Sequence, residues 1–107
     1  MLRRTVRQEA ISARQPEALA ELRGFAREAL SHAKLDDYER GLILLCIDEV
    51  LTAIIENARE RHSDEEIRLV VDINDVRVRI MIEDTENRFE NNLEWWFSSH
   101  PRNVEFG

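Results

Sequence analysis

A carboxylate set among apolar residues is the first feature of this sequence that could do chemistry. Glu49 lies in the stretch from Gly41 to Ile55, whose only other polar side chains are Asp48 and Thr52. On a helix, Leu42, Leu45, Cys46, Glu49, Ala53 and Asn57 fall along neighbouring turns of one side. An acid buried there must be paired, raised in pKa or open to a pocket, because an unpaired buried carboxylate is costly. Beside a cavity it is a candidate general base. The plainer reading has Glu49 reaching the helix edge or pairing with an arginine of a neighbouring strand. Other groups offer less. His32, His62 and His100 have no metal-ligand spacing with one another or with Cys46, so no metal site is expected. Cys46 itself reads as a small core residue. Trp95, Trp96 and Phe97 are adjacent and cannot all face one core, so at least one points elsewhere, to anchor an interface or to fold over the sheet as an apolar flap.

The elements that must position these groups follow from periodicity. Residues 3–13 lack helical spacing and read as an edge strand with arginines on its outer face. Pro16 suits the first turn of a helix, and Ala18, Leu19, Leu22, Phe25, Ala26, Ala29 and Leu30 then recur at three and four residues, an amphipathic helix of about four turns. Asp36 followed by Glu39 is a capping-box pattern opening a second helix to about Arg61. Because that helix is apolar nearly all round, it is expected to be central and buried. Residues 67–73 and 76–82 read as two strands joined at Asn74-Asp75. In the second, Val76, Val78, Ile80 and Ile82 alternate with Arg77, Arg79 and Met81, predicting one buried face and one basic face. Residues 83–107 have weak periodicity, with one short helix expected around 91–98. The fold class is α+β: a two-layer sandwich with helices on one face of a small mixed or antiparallel sheet.

Length and composition bound the rest. With 107 residues, 43% apolar and 35% charged, and only three glycines and two prolines, the chain is a single domain, 1–107, neither disordered nor fibrous. Asp48 and Glu49 interrupt the longest apolar run, so no membrane helix is expected. Arg3, Arg4 and Arg7 are not followed by the apolar segment of a secretory signal, and one cysteine fits a reducing cytoplasm. The net charge is −7, and residues 41–107 hold seven basic against fifteen acidic side chains. Nucleic acid is thereby disfavoured as a partner and a basic protein surface favoured.

The run from Asp48 to Ala58, Asp-Glu-Val-Leu-Thr-Ala-Ile-Ile-Glu-Asn-Ala, resembles the helix carrying the N-box of the GHKL (histidine kinase-like) ATPase superfamily. It is most similar to the anti-sigma factor serine kinases, whose motif reads roughly D-E-A-L-T-N-x-x-x-H-A. Downstream, Val78 to Phe89 resembles that family's D-x-G-x-G-F motif, with Asp84 at its aspartate. The resemblance covers about residues 1–90 and leaves 91–107 as a divergent aromatic tail. It implies that Glu49 activates the attacking group and that Asp84 accepts a hydrogen bond from the adenine amino group, with Thr85 and Asn57 as further candidate nucleotide contacts.

The same comparison exposes departures. The asparagine that binds magnesium in the family is Ala53 here, which has no ligand atom. Both glycines of the second motif are replaced, by Glu86 and Arg88, where side chains would obstruct close backbone approach. A glycine-rich G-x-G-L motif is absent. The expectation is therefore an anti-sigma-factor-like regulatory domain of a bacterial partner-switching system with lost or impaired ATP binding. Its expected partner is a sigma factor or a small anti-sigma antagonist, it is expected to be a homodimer, and it needs no cofactor. The rival is an active ATP-dependent protein-serine kinase using ATP and magnesium, with a non-standard metal site involving Thr52 or Asn57. A third reading takes the chain as one piece of a longer protein that holds the rest of the site.

Overall fold

Two helices lie between the first and second strands of a four-stranded sheet. The computed structural model describes residues 5–61, 66–84 and 90–96, with backbone alone at 57–61, 90 and 91. The order is β1 (Val6–Ala13), α1 (Glu17–Leu30), α2 (Asp37–Arg61), β2 (Glu66–Ile73), β3 (Arg77–Asp84) and β4 (Glu90–Trp96). The strands neighbour one another in sequence order, and every pairing is antiparallel. Two intervening helices return the chain so that β1 and β2 can pair in opposite directions. The sheet is thus the antiparallel form of the expected α+β sandwich, with one strand more than the sequence suggested.

Local signals act as their residue types require. Pro16 precedes the first turn of α1, where its missing N–H costs nothing. At α2 the capping box closes in both directions. The Glu39 amide donates to Asp36 Oδ1 at 2.7 Å, and the Asp36 amide donates to Glu39 Oε1 at 3.1 Å. In the β2–β3 turn the Asn74 side-chain oxygen accepts from the amides of Val76 and Arg77 at 2.9 and 3.0 Å, an Asx arrangement that fixes the register.

The core lies between the helices and one sheet face. Leu22, Ala26 and Ala29 of α1 and Ile43, Ile47, Leu51 and Ile54 of α2 cover Ile67, Leu69 and Val71 of β2 and Val78, Ile80 and Ile82 of β3. Each fully buried aliphatic side chain contributes about 1.5–3 kcal/mol of transfer free energy.

Three expectations are corrected. The residues around 91–98 expected to be helical contain β4, whose register sets Trp95 opposite Val78 and Trp96 opposite Arg77. Alternation with period two thus sends Trp95 to the core side, where its Nε1–H donates to Glu39 Oε2 at 3.1 Å, and Trp96 to the outer side, where the Arg77 guanidinium lies 5.6 Å from its ring centre. Phe97 falls outside the described residues. Second, α2 is not buried all round. Among the described residues one sheet and one neighbouring helix cover it, and the side bearing Tyr38, Leu45, Cys46, Glu49, Ala53 and Glu56 is exposed. Cys46 is therefore exposed rather than a core residue.

The third correction concerns the outer sheet face, which is not basic but alternates in charge. Arg7 meets Asp72 through two bonds of 2.8 Å. Arg68 bridges Glu9 at 2.8 Å and Glu83 at 2.9 Å, and Arg77 reaches Glu94 at 3.2 Å. The Arg7 guanidinium holds the Asp72 carboxyl below its ordinary range, chiefly by hydrogen bonding, and Arg68 does the same to Glu9.

Candidate functional site

Glu49 and Asp84, the two acids on which the sequence reading rests, occupy different sides of α2. Glu49 stands on the open side. Ile54, five residues on and so about 140° round the helix, is fully buried and faces the sheet. Asp84 lies on that inner side, at the last position of β3, with its side chain wholly excluded from solvent.

What holds Asp84 is Arg14. Its guanidinium Nη1 lies 3.1 Å from Asp84 Oδ2, and neither side chain has any accessible surface. Arg14 Nε also donates to the Ile54 carbonyl at 3.1 Å. The sheet register explains the meeting: Ala13 pairs with Glu66, and Ile67 pairs with Asp84, so the residue after β1 arrives level with the end of β3. The guanidinium thus ties together the exit of β1, the inner face of α2 and the end of β3. An interior guanidinium is tolerable when an opposite charge lies against it and it is hydrogen-bonded, as Arg14 is to Asp84 and to the Ile54 carbonyl respectively.

The sequence reading missed Arg14. Its type gives no signal, because an arginine between Ala13 and Gln15 reads as a solvated linker residue. Only the strand register would have revealed its partner. Glu39 was seen as half of a capping box, but its second role as acceptor for Trp95 was not, since that depends on β4 being a strand.

The remaining candidates divide as follows. Ala53 is exposed on the open side of α2, one turn from Glu49, and presents a methyl group where a metal ligand was considered. Asn57 belongs to α2 by its backbone, its side chain lying outside the described residues, as do Thr85, Glu86 and Arg88. The expectation that Glu49 is buried among apolar side chains is corrected: Leu42 is half-buried, and Leu45, Cys46 and Ala53, its neighbours on that side, are all exposed. The alternative of pairing with a sheet arginine falls as well, since the sheet lies against the other side of the helix. Its neighbour Asp48 makes an ion pair, with Arg23 of α1.

Beside the open side of α2 runs an apolar groove of about 160 Å³, bounded by Cys46, Ile47 and Val50 of α2, Ile80 and Ile82 of β3, and Asn92 and Leu93 of β4. Neither Glu49 nor Asp84 lines it.

With this order of elements in view, the sequence profile of the histidine kinase-like ATPase domain matches residues 12–95. The chain belongs to that family. No individual curated protein matches it. The match spans the exit of β1 through β4, so the histidine kinase-like ATPase assignment covers both helices, Glu49 and Asp84. Within this family member, a buried guanidinium lies against Asp84, and Ala53 presents a methyl group on the exposed side of α2.

Proposed function

We propose that this histidine kinase-like ATPase domain is a regulatory protein-binding module, of the kind used in bacterial partner switching, that has given up nucleotide chemistry. The observation that carries this reading is the Arg14–Asp84 pair. A carboxylate that must read an exocyclic amine needs an open acceptor site, and here a buried guanidinium lies against it at 3.1 Å. Ala53 supports the same reading by its chemistry. The acidic surface and the open, partly apolar side of α2 are compatible with a protein partner, by resemblance a sigma factor or a small anti-sigma antagonist. The eight-residue strand β1, at the edge of the sheet among the described residues and with Val6 and Ile11 exposed, supports a homodimer, because a long sheet edge invites pairing.

Calorimetry with ATP and magnesium tests the nucleotide half, with no binding expected at micromolar concentrations. Saturable, magnesium-dependent binding there would promote the rival, an active protein-serine kinase. Sedimentation equilibrium tests the assembly half: a species near 12.6 kDa that does not grow with concentration removes the homodimer.

A further inference from the structure

The open side of α2 carries a pattern that the nucleotide question does not use. Tyr38, Leu42, Leu45, Glu49 and Glu56 succeed one another at three, four and seven residues, so they form one stripe along the helix. From Tyr38 to Glu56 it runs roughly 27 Å. Its apolar members are unusually accessible, Tyr38 at 74% and Leu45 at 53%. Cys46 and Ala53 widen the stripe on one flank, and there Cys46 leads into the apolar groove formed with Ile80, Ile82 and Leu93. The formal charges on the exposed part of the stripe, Glu49 and Glu56, are both negative. On the opposite flank the Arg23 guanidinium is already paired with Asp48.

We infer that this stripe and groove are the docking site for a basic amphipathic helix of a partner protein, its apolar side chains seated between Leu42, Leu45 and the groove and its cations set against Glu49 and Glu56. Charge complementarity selects this occupant. A second copy packed on the same stripe would bring Glu49 and Glu56 against like charges, which opposes association. A basic helix meets both carboxylates, and their seven-residue spacing repeats on any helix laid alongside at a shallow angle. The inference rests on the reading that this side of α2 does not serve nucleotide, and it adds the address and the chemistry of the partner.

Cys46, the single cysteine of the chain, is exposed at the mouth of the groove and reports occupancy directly. The test follows the rate of Cys46 modification by a chromogenic disulfide in the full chain. A helical leucine–lysine peptide of about 18 residues, matching the stripe's length, is titrated alongside a leucine–glutamate peptide of the same pattern. The docking site requires at least about tenfold protection by the basic peptide and none by the acidic one. The double variant Glu49→Lys/Glu56→Lys must weaken the basic peptide by about tenfold, the scale of two exposed ion pairs, and added salt must weaken it too. Both substitutions are on the exposed face, and an unchanged circular dichroism spectrum verifies the fold.

Free modification at saturating basic peptide, equal protection by both peptides, or indifference to charge reversal overturns the inference. So does a thiol already protected in the untouched chain, which would place the chain's own residues over the groove, or protection that grows with protein concentration alone, which would place a second copy there. Protection by magnesium-ATP instead sinks the regulatory reading, whatever the peptides do.

Discussion

Replacing Asp84 by Ala would leave the Arg14 guanidinium facing a cavity where it now faces a carboxylate at 3.1 Å. Neither side chain has accessible surface, so water cannot compensate without opening the core. Removing one member of such a pair costs about 3–5 kcal/mol, because the uncompensated charge stays buried. The bond from Arg14 Nε to the Ile54 carbonyl keeps the guanidinium from swinging out cheaply. For a domain of this size each kcal/mol lowers the melting temperature by about 4–8 °C, so Asp84→Ala should lose roughly 12 °C or more. Arg14→Met should cost a similar amount, because the buried carboxylate loses the guanidinium that lies against it. The double variant Arg14→Met/Asp84→Leu, in which apolar side chains replace both, should recover most of the loss. Urea unfolding followed by tryptophan fluorescence gives the four free energies of the cycle. A single variant costing less than about 1 kcal/mol, or a double variant costing the sum of the singles, would refute the reasoning. Asp84 would then be an accessible acceptor, and the main objection to a nucleotide at this end of β3 would go with it.

Glu49→Gln should change stability by no more than about 0.5 kcal/mol, the range of exposed substitutions clear of special features. A loss above about 3 kcal/mol in the same urea assay would mean the acid is paired after all. Acid titration should expose the outer-face ion pairs. The Asp72 and Glu9 carboxyls lie below their ordinary values of 3.8 and 4.5, because Arg7 and Arg68 bond the ionised forms. A depressed carboxyl stabilises the fold above its unfolded pKa and loses that contribution as pH falls through the folded one. Stability should therefore be level down to about pH 5 and then decline, with Asp72→Asn flattening part of the decline. A denaturant midpoint that rises on acidification would contradict this.

The parts of the fold legible in the sequence are those specified locally. Asp36 and Glu39 announce the start of α2, Asn74 fixes the β2–β3 turn, and the alternation of Val78, Ile80 and Ile82 identifies which face of β3 is buried. Each depends on neighbours within a few residues. What was misread depends on partners far along the chain. β4 contains Glu90-Asn91-Asn92-Leu93, residues without strong strand preference, and becomes a strand because β3 offers an edge to pair with. The exposure of Cys46 and Glu49 depends on how many elements there are to cover α2, a quantity no periodicity contains. Arg14 was invisible for the same reason, since only the register of three strands carries it to Asp84.

On the proposed reading, a histidine kinase-like ATPase domain that loses its nucleotide site would keep its architecture. The side chains that hold the layers together, among them Leu22, Ile43, Ile47, Leu51, Leu69, Val71 and Ile80, are all buried aliphatics. None of them is a candidate ligand. Ala53, at the position the resemblance matches to a metal ligand, is exposed, so the residue type there carries little packing penalty. Asp84 is different. At a buried position, a carboxylate without its ligand and without a partner would carry the full cost of an interior charge. Arg14 offsets that cost by contributing an ion pair. An aspartate retained at the end of β3 is therefore no sign of retained nucleotide recognition unless the residue that follows β1 leaves it open.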